Sequence, residues 1–229
     1  MTISKITAFV LLLFLLGAAV QAQTDIRTPG SFHAIESSGS WDVFITLGSK
    51  DEVKLVSQGF DLGKVITEVK NGKLEISLEK GNHRNVNFEA HITVRELESI
   101  GSGGSGDMTL TSDISSDKFN VGQSGSGNVK LQKLNVGSLN VGMSGSGTVS
   151  IEGGSAETAN IGQSGSGDFN GLELMANSVK IGKSGSGHTS IGAGENLTVG
   201  SSGSGNVYYR GNPENKKIGN SGSSKVIKK

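Results

Sequence analysis

Side chains that could bind a metal ion are scattered through this chain of 229 residues. The four histidines lie far apart, and none has a partner at the spacing that paired metal ligands use; they are His33, His83, His91 and His188. The chain contains no cysteine, which removes the thiolate ligands of structural zinc sites. The sequence therefore predicts no transition-metal site.

Carboxylates are the remaining groups that could support hydrolase or lyase chemistry. Such sites need paired carboxylates, or a carboxylate grouped with arginine and lysine, on neighbouring segments. The acids of the second half share no repeated position; they are Asp107, Asp113, Asp117, Glu152, Glu157, Asp168, Glu173, Glu195 and Glu214. The glycine-rich phrases open no helix whose N-terminus could hold a phosphate. We predict a protein without catalytic residues, metal or cofactor.

Calcium is the other metal to consider, because calcium-binding β-rolls repeat an aspartate within a glycine-rich nonapeptide. The residue after each glycine pair varies here among acid, amide, hydroxyl and imidazole; it is Asp107, Asn128, Thr148, Asp168, His188 and Asn206. This variation does not build a repeated carboxylate cage, so the sequence argues against calcium.

Exposed aromatic faces commonly bind carbohydrate, and this chain has few aromatic residues. Residues 23–229 hold one tryptophan, two tyrosines and six phenylalanines. Most, including Trp41 and Tyr209, fall at positions predicted to point inward, whereas Tyr208 falls outward. Tyr208 is therefore the candidate ligand-binding residue, and the alternative is an ordinary exposed side chain near the end of the molecule.

A repeated phrase supplies the elements that would position such groups. An aliphatic residue, a glycine and a spacer precede Ser-Gly-Ser-Gly or a variant, starting at Ile100, Val121, Val141, Ile161, Ile181, Val199 and, in decayed form, Ile218. The steps between them are 21, 20, 20, 20, 18 and 19 residues. A fixed period of this length indicates stacked repeats that are stable only against their neighbours. We predict an all-β fold, a parallel β-helix or solenoid of about seven coils of 18–21 residues.

Residue parity predicts which side chains face the interior of the coils. In the second repeat Phe119, Val121 and Val129 are odd-numbered, as are both glycines of the Ser-Gly-Ser-Gly phrase, so they share one face of an extended chain. The serines then point outward in two columns. The inward glycines indicate either close approach of two walls or corners with positive φ, and the sequence leaves both open.

Residues 31–99 lack the repeat and read as antiparallel strands that cap one end of the coils. Alternating apolar residues predict strands near residues 41–47, 53–57, 66–70, 73–78 and 88–94. Asn71-Gly72 between two of these runs predicts a tight hairpin. Residues 213–229 read as the last decayed coil with a basic tail, whose lysines would protect the other end.

The first 22 residues read as a secretory signal peptide. Lys5 precedes an apolar run of 15 residues, Ile6–Val20, and Val20-Gln21-Ala22 offers small residues at a cleavage site. The run is shorter than the roughly 20 residues that span a bilayer, so cleavage after Ala22 is favoured over a membrane anchor. The predicted location is outside the inner membrane: the periplasm, the cell surface or the medium.

Residues 31–212 resemble one known family. The features are Ser31 to Glu36, the strand Gly39 to Val43, the hairpin Asn71 to Leu74, and Leu97 to Asp107 leading into the Ser-Gly coils. Together they resemble the putative auto-transporter adhesin, head GIN domain family of exported Bacteroidetes-type proteins. The resemblance implies one β-solenoid domain, with 31–99 as cap and 100–212 as coils. It implies adhesion and no catalytic motif.

Two functions remain open at this point. The first is an exported adhesion or glycan-binding module for a surface polysaccharide or other extended polymer, and the second is a cell-envelope scaffold without a small ligand. An ice-ordering face is a weaker third, because ice-binding faces favour threonine. With 20 basic and 21 acidic residues after residue 22, the net charge argues against nucleic acid or an anionic membrane as partner. The sequence leaves the oligomeric state unspecified, and no membrane insertion is expected after signal removal.

Overall fold

The computed structural model describes residues 22–229, which form 17 β-strands and one short 3-10 helix, Leu62–Lys64. The predicted signal peptide lies outside these residues, apart from Ala22. Within the described range, no helix has the length and apolar character needed to span a membrane. The strands are β1 (Gln23–Arg27), β2 (Ala34–Ser37), β3 (Asp42–Leu47), β4 (Glu52–Ser57), β5 (Val65–Lys70), β6 (Lys73–Leu78), β7 (Phe88–Val94), β8 (Ser99–Ser102), β9 (Met108–Leu110), β10 (Ile114–Gln123), β11 (Val129–Met143), β12 (Val149–Gln163), β13 (Phe169–Lys183), β14 (Thr189–Ser201), β15 (Val207–Arg210), β16 (Asn215–Asn220) and β17 (Val226–Lys228).

The seven repeated phrases stack as predicted, each one coil of a parallel solenoid. Their opening residues pair in one continuous register: Ile100, Val121, Val141, Ile161, Ile181, Val199 and Ile218. We call this the first wall. The residues after each glycine pair form the second wall, where Val129 pairs with Val149. A third side carries Ile114, Leu134 and Leu174.

The core lies where parity predicted it. Phe119, Val129 and Leu139 are fully buried, and the outward serines of the Ser-Gly-Ser-Gly phrases are exposed. Inward aliphatic side chains of successive coils pack on one another because the register is constant for most of the stack. The prediction of the all-β solenoid and of its interior face is confirmed.

The corner glycines have a reason that neither sequence alternative stated. A Cβ added to Gly145 would lie 1.9 Å from the carbonyl oxygen of Gly125 in the preceding coil, and Gly165 would meet Gly145 in the same way. None of these corner glycines has a positive φ. The close approach is therefore between neighbouring coils rather than between opposite walls, and the α-carbon hydrogen faces the coil below.

The N-terminal region contains the predicted strands with both antiparallel and parallel pairing. β1 pairs with β4, β4 with β7, and β5 with β6, all antiparallel. The hairpin between β5 and β6 turns at Asn71 (φ 52°) and Gly72 (φ 74°), the two positive angles that an Asn-Gly turn requires.

One further coil lies inside this region and was not predicted. β2 and β3 pair in parallel with β8 and β9, so that Ile35 opposes Ile100 and Val43 opposes Met108. On their other side β2 and β3 pair in parallel with β6 and β7. The coil stack therefore begins before residue 100.

The two ends of the stack differ. At the N-terminal end the segment between β4 and β5 crosses from the second wall to the first and buries Phe60 and Leu62. The Nη2 atom of Arg27 donates to the carbonyl oxygen of Leu62 at 2.7 Å and fixes this crossing. At the C-terminal end β16 is exposed along its whole length.

Candidate functional site

The outward side of the first wall carries columns of residues in register, with one residue of each column in each coil. Because successive strand residues alternate between the two faces, outward positions recur every second residue. The column next to the opening aliphatic residue is glycine in all seven phrases, and we call it the glycine column: Gly101, Gly122, Gly142, Gly162, Gly182, Gly200 and Gly219. Its neighbours are an amide-rich column on one side and an exposed serine column on the other.

Local packing gives no reason for glycine in this column. A Cβ on Gly142 or Gly182 would meet nothing within 4 Å, and at the other five positions it would make ordinary contacts of 3.4–4.0 Å. None of the seven has a positive φ. Glycine weakens a strand by roughly 0.5–1 kcal/mol relative to alanine, so its repetition here indicates a requirement for open space.

The open space is a groove that runs parallel to the axis of the stack. The glycine column forms the floor of the groove. The amide-rich column, which contains the asparagines, forms one side of it, and the exposed serine column forms the other. It extends from Glu36 to Gly182 and has a volume of about 990 Å³. Coils stack about 4.8 Å apart, so the groove offers the same groups again at that spacing.

Asparagines form a ladder along one wall of the groove. The Nδ2 atom of Asn140 donates to Oδ1 of Asn120 at 3.2 Å, and Nδ2 of Asn160 donates to Oδ1 of Asn140 at 3.1 Å. Each amide has two donor hydrogens and two acceptor lone pairs, so the ladder leaves hydrogen-bonding capacity for a ligand. Lys180 and Thr198 continue this column toward the C-terminal end.

The serine column beside the groove is little ordered by internal hydrogen bonds. Stacked hydroxyls could bond along the axis, and Ser204 donates to Ser186 at 3.3 Å in the neighbouring serine column. The serines of the groove wall are exposed, and Ser164 donates to the carbonyl oxygen of Met143 at 3.4 Å. Hydroxyls on this wall are therefore accessible to an incoming ligand.

At five of the six positions after a glycine pair, all except Thr148, the side chain accepts a backbone hydrogen bond from the next coil. The backbone nitrogens of Asn128, Thr148 and His188 donate to side-chain oxygens one coil earlier at 2.9, 3.0 and 2.6 Å. Asp107 also accepts from Lys130 at 3.0 Å. Burial raises the pKa of the Asp107 carboxyl, but the donors from Asn128 and Lys130 outweigh it and hold that pKa below its usual value. This position therefore links neighbouring coils.

The spacer residue of most phrases points inward, and where it is glutamine or lysine its side chain donates hydrogen bonds to the carbonyl oxygens of the corner. Nε2 of Gln123 donates to the carbonyl oxygens of Gly125 at 2.7 Å and Gly127 at 3.2 Å. In a later coil the same position is Lys183, which is 4% exposed and donates to the corresponding carbonyls. Burial lowers the pKa of the Lys183 ammonium, although nearby Asp168 opposes this. The sequence pattern indicates no role for the spacer, although its odd parity marks it as inward.

Tyr208, the predicted ligand-binding residue, lies on the outward side of the second wall and not in the groove. It pairs with Ser190 on β14 and is half-buried. The Nζ atom of Lys229 lies 4.7 Å from its ring centroid, and its hydroxyl accepts from Asn206 at 3.2 Å. A sugar could stack on this face only if Lys229 moved, so carbohydrate binding at Tyr208 stays a prediction.

The histidines and acids remain dispersed in the fold. Within residues 22–229, no three side chains of His, Asp or Glu come close enough together to hold a metal ion. The sequence does not predict the groove as long as only the two corner glycines of each phrase are given a structural reason. The available signal was the first glycine of each phrase, which has outward parity in a strand.

Comparison with known proteins agrees with this description. The family model described as "Putative auto-transporter adhesin, head GIN domain" matches residues 31–213. No curated protein sequence matches the chain significantly.

Several solved structures share the fold. The crystal structure of a putative adhesin from Bacteroides fragilis NCTC 9343 is 23% identical, with a TM-score of 0.84 over 91% of this chain and 97% of that one. A putative adhesin from Parabacteroides distasonis ATCC 8503 is 20% identical, with a TM-score of 0.72 over 92% and 98%. A putative lipid binding protein from the same strain is 22% identical, with a TM-score of 0.69 over 90% and 96%. At these identities the likeness concerns the fold alone.

Proposed function

Because the chain belongs to the "Putative auto-transporter adhesin, head GIN domain" family, we propose that it is an exported, non-catalytic surface protein that binds an extended polysaccharide. The proposed site is the groove over the glycine column. Family membership supports the adhesive role, and the groove supports the class of ligand.

The observation that carries this proposal is the glycine column itself. Seven outward strand positions lack a side chain although a Cβ would fit at each of them. Glycine in a strand often marks a place where another chain must approach the backbone closely. A polymer lying along the groove would use the five members of the column that line it, from Gly101 to Gly182, whereas a compact metabolite would use two or three.

The groups beside the floor suit a ligand rich in hydroxyls. The asparagine ladder provides amide donors and acceptors in fixed orientations, and the opposite wall provides serine hydroxyls. No aromatic side chain lines the groove, so each sugar would be held weakly. Affinity would then grow with the number of coils occupied, as expected of linked weak contacts.

The test is binding of the exported protein to polysaccharides of graded length, measured on a glycan array and by calorimetry. We expect affinity to rise with chain length. Gly142→Phe, which fills the floor, should weaken binding at least tenfold. The matched control is Asn170→Phe, which adds the same ring to an exposed outward position of the second wall.

Three outcomes would oppose the proposal. Unchanged binding in Gly142→Phe would remove the groove as the site. Failure of the unaltered protein to bind any polysaccharide would favour the second function, a cell-envelope scaffold. Cleavage of a polysaccharide that is lost on mutating one acid would contradict the non-catalytic assignment.

A further inference from the structure

Charge is strongly segregated along the axis of this molecule. Residues 210–229 contain six basic side chains and one acidic side chain, whereas residues 22–209 contain 14 basic and 20 acidic side chains. The near-zero net charge of the chain therefore conceals a positive C-terminal end and a negative body. The argument from net charge against an anionic membrane does not apply to a surface with this local excess.

The structure concentrates this positive charge on the last coil. Lys216 and Lys217 lie on β16, Lys225 lies in the last corner, and Lys228 and Lys229 lie at or beyond the end of β17. All five are exposed. Within the described range 22–229, none of them has a carboxylate within ion-pairing distance.

An apolar centre lies among these lysines. Ile218 occupies the register of the buried Val199, yet it is 51% exposed because, within residues 22–229, β16 pairs only with β14. Lys216 and Lys228 occupy the inward registers of Leu197 and Tyr209, so they also lie at the open end. Val226 beside them is only partly buried.

We propose that this basic end docks on an anionic lipid surface, with the axis of the stack rising from the membrane. Lysines near an anionic leaflet gain attraction from the surface potential, and a shallow apolar group gains from entering the interface. A lipid surface offers both kinds of contact at once over a flat area, whereas a soluble polyanion offers charge alone. The groove is not part of this contact, so this inference does not rest on the proposed function.

The alternative for these lysines is edge protection, since inward-pointing charges prevent an exposed strand from pairing with another chain. This alternative explains Lys216 and Lys228, which lie at inward registers. It does not explain Lys217 and Lys225, which point outward, or the exposed Ile218. The two explanations predict different results when the lysines are neutralised.

The experiment is sedimentation of the exported protein with large unilamellar vesicles of phosphatidylcholine, with or without phosphatidylglycerol at about one-third of the lipid. We expect binding only to the anionic vesicles and loss of binding in high salt. The triple variant Lys216→Gln/Lys217→Gln/Lys228→Gln should bind about 100-fold more weakly, since each lysine contributes about fivefold. The control Lys118→Gln/Lys130→Gln/Lys133→Gln removes equal charge from the body and should bind normally.

Further arms decide whether lipid is the partner. Ile218→Ser keeps the charge and should weaken vesicle binding several-fold, and Gly142→Phe should leave it unchanged. Equal binding to neutral and anionic vesicles would overturn the proposal, as would an equal loss of vesicle binding in the two triple variants. It would also be overturned if Ile218→Ser bound vesicles normally and the unaltered protein bound soluble polyphosphate as tightly as anionic vesicles. Self-association of the first triple variant, without any change in vesicle binding, would establish edge protection instead.

Discussion

Gly142 and Gly145 lie three residues apart in one phrase and are glycine for opposite reasons. The α-carbon of Gly142 faces open solvent, whereas that of Gly145 lies against the backbone of the coil below. A sequence reader sees the same residue at both places. Only the direction in which a Cβ would point separates a glycine that packing requires from one that packing tolerates.

This difference predicts opposite effects of the same substitution. Gly142→Val should stabilise the protein by about 0.5–1 kcal/mol, because valine favours strands and no atom is displaced. Gly145→Val should destabilise it by about 1–3 kcal/mol or more, because its Cβ would overlap the carbonyl oxygen of Gly125. Urea denaturation measures both, and comparable losses of stability would show that the outward column also serves packing.

Lys183 is a second residue whose setting predicts a measurable effect. Burial lowers the pKa of its ammonium below the ordinary 10.5, so the unfolded chain binds more protons than the folded protein between the two pKa values. Its contribution to stability is therefore complete above 10.5 and is lost as the pH falls through the lowered pKa.

Thermal unfolding from pH 7 to 10.5 tests this expectation. Relative to Lys183→Gln, which places the amide found in two other coils, the unaltered protein should gain stability as the pH rises. The comparison cancels the titration of all groups that both proteins share. Parallel pH profiles for the two proteins would show that the Lys183 ammonium is not held in an unfavourable setting.

At the scale of elements, a coil is the unit that the sequence specifies. Residue Leu139 pairs with Ala159 one coil later, and Asn140 with Asn160. Each coil contacts chiefly its two neighbours, as expected of a solenoid. Removing one whole coil should therefore leave every remaining coil with the same kind of contacts to its neighbours.

Deletion of residues 140–159 tests this property. It joins Leu139 to Asn160, keeps the register, and should give a folded protein with strand-type circular dichroism and cooperative unfolding. Deletion of residues 140–149 is the control, since it leaves half a coil and should prevent folding of the stack. Equal folding of the two deletion variants would show that the stack does not need a constant register between its coils.

The sequence sufficed for the elements with a strong repeat and failed where the repeat changes. Parity placed the interior aliphatic residues and the outward serines, and Asn71-Gly72 located its hairpin. The coil at β2 and β3 was not predicted because Trp41 occupies the position that holds the second glycine of the corner pair in the other phrases. A corner needs glycine only when another corner lies beneath it, and here Trp41 instead stacks on Phe88 with ring centroids 4.8 Å apart.

The candidate groove could not be derived in the same way. Its floor is an absence of side chains, and its role depends on the space outside each glycine rather than on any contact. Tyr208 shows a different limit of prediction from a periodic sequence. Outward parity was correct for this residue, but the chain terminus brings Lys229 over the ring, and no periodic pattern contains that contact.

At the scale of the whole molecule, two properties run along the same axis. The groove offers repeated polar groups along the side of the stack, and basic residues collect at one end. A polymer bound in the groove and a surface bound at the end would not compete for space. Binding at one site should leave affinity at the other unchanged, which vesicle sedimentation with and without polysaccharide would measure.

Coil stacking also determines how the protein would respond to a pulling force. Hydrogen bonds between coils point along the axis, so tension between the two ends loads one layer of bonds at a time rather than many in shear. The exposed last coil should detach first, and each coil of about 20 residues should release about 70 Å of extended chain. Single-molecule stretching should then show a series of nearly equal length increments. A tether that lengthens in such steps dissipates mechanical work while its remaining coils stay folded.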